Sequence, residues 1–392
     1  MINARTGRRI VFVGSFGLWH RGTIGYRTLP IAALLREGGH DARIVTVPWD
    51  APSESFGSRV EHGVPVTRVP TARRWPTLAD LAVASARAMR VVASLRPDVV
   101  VAIKPKAYGG LVLLAHAGHR DTVVDTDDWE GRGGWADADG SGWLRAAAIT
   151  LHEIETLRRA GRVAAASREL VHLAEGAGVR PERVTYLPNR TWEGSAAWPR
   201  PGYPVIEDAD ILLYSRMLEV AELRTLDLIR TTVARRPATT FRIVGVGPTK
   251  GQALQRSVER YGLGSRVEIR ATVAPELIPL ELRRGRVALV LLDDTRINRA
   301  RCSVKVLDLL LCGRPIVAER VGEVGSQIEA GRTGILVEPG ATGAIVEHLV
   351  RLLEDPSARS ALGGTAEDAA RGHLRWRGAR DKLLATFAGE AA

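Results

Sequence analysis

Residues 299–318 read Arg-Ala-Arg-Cys-Ser-Val-Lys-Val-Leu-Asp-Leu-Leu-Leu-Cys-Gly-Arg-Pro-Ile-Val-Ala, and their order spells a helix, a stop and a strand. Ser303 stands where a helix N-cap belongs, and Val306, Leu307, Leu310 and Leu311 share one face at helical spacing. Gly313 ends the helix, and Pro315 opens the short apolar run 316–318. A strand this apolar, packed beside an amphipathic helix, is covered on both faces, as in a parallel sheet.

The same unit recurs outward in both directions. Toward the C-terminus, 335–337 is another apolar run; toward the N-terminus come 287–292, 266–269, 241–244 and 211–214, each separated from the next by a helical pattern. Residues 188–204 break the rhythm with four prolines and two tryptophans, which marks a linker. Before it the alternation runs again: 10–13, 43–47, 98–103, 122–126, 162–166 and 184–187 read as strands, and 29–36, 78–95 and 143–159 as amphipathic helices. The expected fold is α/β, with two doubly wound Rossmann-like domains facing a central cleft, where open α/β sheets bind ligands. The boundaries are 1–190 for the first domain, 191–205 for the linker, 206–365 for the second domain, and 366–392 for a basic C-terminal helix that packs back on the first. Neither an internal repeat nor a low-complexity tract appears.

The chain has 392 residues, 45% of them hydrophobic and 25% charged, enough for two globular domains and unlike a disordered or fibrous chain. Its net charge of +11 comes almost wholly from arginine, since lysine occurs only at 104, 106, 250, 305 and 382, so coding bias weakens any inference from charge alone. Two cysteines, Cys302 and Cys312, read as buried packing residues of a cytoplasmic protein rather than a disulfide scaffold. The apolar start at 10–13 is too short for an export signal, and no apolar run approaches the ~20 residues that span a bilayer.

Three strand ends carry candidate chemistry. The first strand runs into Gly14, Gly17, Gly22 and Gly25, with Thr23 and His20 among them, a turn whose amides suit an anion or an acceptor. It is not G-x-G-x-x-G, and no acid stands where a nicotinamide-dinucleotide ribose hook belongs, so hydride transfer is set aside. A plain flexible loop explains this turn equally well. In the second half, Gly245 and Gly247 follow a strand, a weak signal alone. At 303–308 the first amides of the helix, Ser303 and Val304, with the ammonium of Lys305, suit a diphosphate, and Asp308 one turn on suits ribose hydroxyls. A surface pair between Lys305 and Asp308 is the plain alternative.

Taken together, Ser303-x-Lys305-x-x-Asp308, Gly313-x-Pro-Ile-Val-Ala318, 321–328 and 334–337 resemble the nucleotide-sugar segment of GT-B glycosyltransferases of family GT4, the glycosyl transferases group 1. Arg216 and Gly245-Val-Gly-Pro248 sit where that family has its donor-phosphate arginine and glycine turn, and Gly22-Thr23 with Gly39-His40 resemble its acceptor-domain opening. The resemblance implies a retaining sugar transfer from a nucleoside diphosphate, with no metal and no cofactor. Arg216 and Lys305 would stabilise the leaving phosphate. The acceptor would be a glycan, glycolipid or secondary metabolite, and the place the cytoplasm or the inner face of the membrane.

The sequence departs from that family at several points. Ala300 replaces the first acid of Glu-x7-Glu; Asp293, Asp294 or Asn298 are its candidate substitutes. The lysine that follows the arginine is missing, with Arg224, Arg299 or Arg301 as possible replacements. Asp128, within Asp125-Thr-Asp-Asp-Trp-Glu130, falls where relatives place a sugar-contacting histidine. Repulsion among these acids should raise some pKa values and suits a site for hydroxyls or a cationic acceptor; helix capping and a cation site are the alternatives. Basic clusters at Arg68, Arg73, Arg74 with Trp75, and at Arg371, Arg375, Arg377, Arg380 with Trp376, leave peripheral membrane contact open, whereas no nucleic-acid-binding pattern appears. A degenerate nucleotide-binding relative and a nucleotide-sugar epimerase are the rival readings.

Overall fold

The computed structural model describes residues 7–19, 22–51, 57–71, 77–118, 121–140, 142–195, 198 and 205–390. The chain divides into two compact units. The first comprises Met1–Asn189 with Arg299–Cys302 and Trp376–Ala392; the second comprises Arg190–Asn298 with Ser303–Arg375.

Among the described residues the first unit holds an eight-stranded sheet. Its strands are β1 (Arg9–Gly14), β2 (Asp41–Thr46), β3 (Ser58–Glu61), β4 (Val64–Arg68), β5 (Val99–Ile103), β6 (Asp121–Thr126), β7 (Arg162–Ala165) and β8 (Val184–Tyr186), in the order 3-4-2-1-5-6-7-8. All pairings are parallel except the hairpin β3–β4. That hairpin escapes a search for apolar runs because β3 is largely exposed. The second unit's sheet is wholly parallel: β9 (Ala209–Tyr214), β10 (Phe241–Val246), β11 (Val267–Ala271), β12 (Gly285–Val290), β13 (Ile316–Glu319) and β14 (Ile335–Val337), in the order 11-10-9-12-13-14.

The continuous apolar strands are explained by burial on both faces. Ile211 and Leu213 pack into one core and Leu212 into another; Val287 and Leu289 likewise oppose Ala288. Side chains alternate across a strand, so each β-branched or leucine residue finds a helix layer to fill. Full burial of each large aliphatic contributes about 1.5–3 kcal/mol.

Two sequence expectations change here. The C-terminal helix does not run through 366–387: Pro356–Arg371 is helical, Gly372 stops it, and short turns from Trp376 onward complete the first unit. Phe387 stacks on Phe12 of β1 at 5.5 Å, and Trp376 is buried beneath the Arg27 guanidinium. Trp376 is thus core rather than surface, and three of the four arginines of that cluster are engaged: Arg371 with Glu367, Arg375 with Glu193, Arg377 with Glu37. The other basic cluster (Arg73, Arg74, Trp75), His20, and 196–197 and 199–204 of the linker lie outside the described residues.

Candidate functional site

In a doubly wound sheet, ligands bind beyond the carboxyl ends of the strands where the strand order reverses. In the second unit that point lies between β9 and β12. A cavity of about 40 Å³ opens there, lined by residues 213–215, 219–220 and 289–292 and by Ser303, Lys305, Val306 and Leu309 of the next helix, Val304–Leu311.

The loop after β9 shapes the site. Met217 adopts a left-handed backbone (φ 57°) with its side chain buried, a conformation that costs energy and is held by the Met217 N–H donating to Ser215 Oγ at 2.9 Å. This turn aims Glu219 inward. Its carboxylate accepts from the Ser215 hydroxyl at 2.9 Å, the Leu218 N–H at 3.1 Å and the Lys305 ammonium at 2.8 Å. Arg216, half exposed, brings its Nε to 3.7 Å of the same carboxylate, and the Lys305 ammonium lies 5.6 Å from the centre of the Tyr214 ring. Lys305 and Arg216, selected from sequence, therefore do converge. Glu219, which holds them, was missed; an acid at i+3 from an arginine is too common to stand out.

Other selected residues take different places. Ser303 occupies the N-cap position but makes no side-chain cap; it lines the cavity, leaving the amides that follow it to other partners. Val304 begins the helix. Asp308 is buried, and burial pushes its carboxyl up to about 7 against the pull of Lys305, so it is not a solvent-facing partner of that lysine. Gly245 has φ +99°, a backbone conformation that L side chains rarely adopt, so the turn favours glycine there, although an added Cβ would make only ordinary contact with the Ser215 carbonyl; at Gly247 the space is open. Asp293 and Asn298 are not free substitutes for the absent acid. Asp293 accepts from the Ala221 N–H and Arg224, and Asn298 donates to the Glu219 and Asp293 carbonyls. Arg224 is likewise committed to Asp293 and the buried Glu319.

The corresponding reversal in the first unit lies between β1 and β5. Gly22 and Thr23 precede the turn Ile24–Thr28, where Thr23 makes no side-chain cap. Gly25 serves packing: a Cβ there would strike the Trp19 ring at 2.3 Å. The N–H of Gly17 is occupied by the buried Asp50 carboxylate at 2.9 Å.

Lys104, at the end of β5, is the residue whose importance was invisible in sequence. It is buried, has a left-handed backbone (φ 62°), and directs its ammonium to Asp128 at 2.7 Å, Glu130 at 2.9 Å and Asp127 at 3.4 Å. Phe16, from the loop after β1, lies beneath it at 5.6 Å. Lys106 adds a second cation to Glu130, and Arg27 forks onto the buried Asp125, with its closest contact at 2.7 Å. The expected repulsion among acids is thereby overturned at Glu130. Burial alone would raise its pKa, but the two lysines outweigh it and hold it near 2. Asp127 does rise, chiefly through burial rather than repulsion, while Lys104 itself is held well above its ordinary value: burial opposes its charge and the three acids prevail. The loop's backbone is fixed by the buried Glu153, which accepts from the Gly131 N–H at 2.8 Å and from the Glu130 N–H; burial raises its pKa to about 8. Asp128 keeps one further cation, Arg301, at 3.8 Å.

Two Rossmann-like sheets, each carrying a charged cluster at its reversal point, define a two-domain α/β protein of nucleotide-binding architecture. Residues 22–190 match the glycosyl transferase 4-like domain, and residues 210–355 match the glycosyl transferases group 1 domain. The chain belongs to the glycosyl transferases group 1, and it is a glycosyltransferase of the GT-B fold.

Solved structures agree on the fold. The sucrose-phosphate synthase of Thermosynechococcus elongatus superposes with a TM-score of 0.72 at 15% identity, covering 97% of this chain and 99% of its own. Anabaena HepE, in complex with UDP and glucose, gives 0.71 at 17% identity over 98% and 100%. The catalytic domain of Arabidopsis thaliana starch synthase IV, bound to ADP and acarbose, gives 0.73 at 9% identity over 98% and 99%. No curated protein matches the chain. Among the described residues no helix is long and apolar enough to cross a membrane.

Proposed function

We propose that the chain transfers a sugar from a nucleoside diphosphate sugar to an acceptor hydroxyl with retention at the anomeric carbon, in the manner of family GT4. The observation that carries this reading is the convergence of Lys305 and Arg216 on one carboxylate, beside the open N-terminus of the helix Val304–Leu311. A 40 Å³ cavity holds a few waters and no nucleotide, so the donor lies across its mouth, with the diphosphate replacing Glu219 as the anion facing the two cations. UDP and ADP in the HepE and starch synthase IV structures support a nucleoside diphosphate here.

Charge develops on the leaving diphosphate as the bond from the anomeric carbon to its oxygen breaks. Two cations and a helix dipole fixed in advance lower that barrier. The acceptor oxygen bonds the same carbon, and its proton passes to the departing phosphate oxygen, so the protein supplies neither a strong base nor a metal. Asp128, with oxygens turned to Lys104 and Arg301, accepts a hydrogen bond from a substrate hydroxyl. The acceptor we favour is a growing polysaccharide or cell-envelope glycan, met in the cytoplasm or at the inner membrane face. Two other structural neighbours, WaaG, a glycosyltransferase involved in lipopolysaccharide biosynthesis, and TarM in complex with α-GlcNAc-glycerol, lean the same way.

One observation favours a second reading: with Ala300 in place of an acid and Asp293, Asn298 and Arg224 built into the scaffold, the sugar has few partners in the second unit, which suits a nucleotide-binding protein without transfer.

The test is a thermal-shift panel of UDP, GDP, ADP and dTDP on wild type and Lys305→Ala. One nucleotide should raise Tm by several degrees, since saturation at ~100 Kd adds about 2.7 kcal/mol. Lys305→Ala should weaken its binding about 10- to 100-fold, as a charge-assisted hydrogen bond is worth roughly 1.5–3 kcal/mol. Silence across the panel, or an unchanged affinity in the variant, sinks the donor site. Sugar release that needs an acceptor separates transfer from epimerisation, and binding without any release favours the second reading.

A further inference from the structure

Asp128 lies between two cations of different origin. Lys104, at the end of β5, takes one of its oxygens at 2.7 Å; Arg301, about 170 residues later in the chain, approaches the other with its Nε at 3.8 Å. Arg301 is sequence of the second half, two residues before the helix cap Ser303, yet Arg299–Cys302 belongs to the first unit. This excursion is firmly anchored. The Ala300 side chain is fully buried; the Cys302 carbonyl accepts from Asn189 Nδ2 at 2.7 Å, and its sulfur from the Asn189 N–H at 3.2 Å. Asn189 Oδ1 in turn accepts from Arg27 at 2.9 Å, and Arg27 is forked on Asp125, three residues before Asp128. The Arg301 guanidinium itself lies 4.5 Å from the centre of the Trp135 ring, on the helix that follows the acidic loop.

We infer that Arg301 is a positioning residue for Asp128: stacked on Trp135 and tethered through Cys302, it fixes the Asp128 oxygen that Lys104 does not hold. The inference rests on the reading of Asp128 as a substrate-facing group. The chain leaves the second unit for four residues, brings Arg301 to the acidic loop and returns directly to the Ser303–Lys305 segment. The backbone is held on both sides by Ala300 and Cys302, so the guanidinium is delivered to one place. Its planar fork, stacked on an indole, defines an oxygen's direction as an ammonium on a flexible stem does not. Carboxylate direction matters because a misplacement of about 1 Å in a reacting complex costs on the order of 100-fold in rate.

The experiment compares wild type, Arg301→Ala, Arg301→Lys, Asp128→Asn and the double variant Asp128→Asn/Arg301→Ala. Nucleoside diphosphate release is followed from UDP-glucose, GDP-mannose, ADP-glucose and dTDP-glucose with glycerol, glucose and a short glucan supplied as acceptor hydroxyls and a no-acceptor blank subtracted, and affinity for the matching free nucleotide by calorimetry. Arg301→Ala should lower kcat by about tenfold or more while nucleotide affinity changes less than about twofold, with partial recovery in Arg301→Lys. The double variant should be no slower than Asp128→Asn alone, the signature of two residues acting as one. If Arg301→Ala melts lower than wild type, Arg301→Gln, which keeps the stem over Trp135, carries the comparison.

Full kcat in Arg301→Ala beside a slow Asp128→Asn overturns the inference, as does additivity in the double variant. Full activity in Asp128→Asn, or no release from any of the four donors, overturns the reading beneath it instead.

Discussion

The two units place charge at equivalent points of equivalent sheets and satisfy it in opposite ways. In the first, the Lys104 ammonium is enclosed by Asp127, Asp128 and Glu130 and is closed to solvent. In the second, Glu219 is the enclosed partner, and the cations around it reach outward: Lys305 is partly exposed and Arg216 half exposed. Buried charges are tolerated only when fully compensated, and removing one partner from such a set is far more costly than the set is stabilising. The first cluster is therefore a fixed scaffold that holds Asp128, whereas the second leaves its cations partly exposed, the arrangement that the proposed exchange of Glu219 for an arriving anion requires.

The largest effect should come from the enclosed cation. Lys104→Met leaves three acids without their shared partner and should cost about 3–5 kcal/mol, read as a lower urea midpoint at neutral pH. A variant as stable as wild type would erase the contrast between the clusters.

The first cluster should also leave a mark on stability against pH. Glu153 has a pKa of about 8, raised from an ordinary 4.5, so the folded state holds its proton longer than the unfolded one. Its contribution is complete below about 4.5 and is lost as pH rises through about 8. Glutamine keeps an acceptor for the Gly131 N–H without the proton, so Glu153→Gln should gain on wild type in Tm between pH 5 and 8.5. A constant difference across that range would remove the titration. Glu130, held near 2, acts at the other end: its contribution is present above about 4.5 and is lost as pH falls toward 2.

The smallest effect sharpens the second cluster. Glu219→Gln removes the internal competitor for Lys305 and should tighten nucleoside diphosphate binding about 2- to 10-fold, the scale of one hydrogen bond. Calorimetry showing weaker binding would mean that Glu219 orients the cations rather than being displaced.

Much of the architecture was legible because it depends on local pattern. Runs such as Val99–Ile103 and Ala209–Tyr214 are apolar at nearly every position, since both faces of each strand are covered. The hairpin β3–β4 was not legible, because an exposed antiparallel edge carries no such run. At the sites, Lys305 could be picked out beside a helix start, where amides and the dipole converge, and Arg216 by its place in the family resemblance. Lys104 and Glu219 could not. Each matters through partners brought to it by the fold, Glu130 from the neighbouring strand's end in one case and Lys305, 86 residues away, in the other. The same reason explains why Glu130 did not share the expected rise: four acids within six residues suggest repulsion until the lysines folded against them are seen.

The closing segment from Trp376 onward has a consequence for biosynthesis. Trp376 and Phe387 are core residues of the unit whose β1 begins at Arg9, so the earlier-made sheet waits for residues made after the second unit. Domains emerging from the ribosome ordinarily fold in the order they are made. Here the N-terminal unit stays incomplete, with one side of Phe12 uncovered, throughout translation of the second unit. A premature stop near residue 375 would leave the later domain whole and cripple the earlier one.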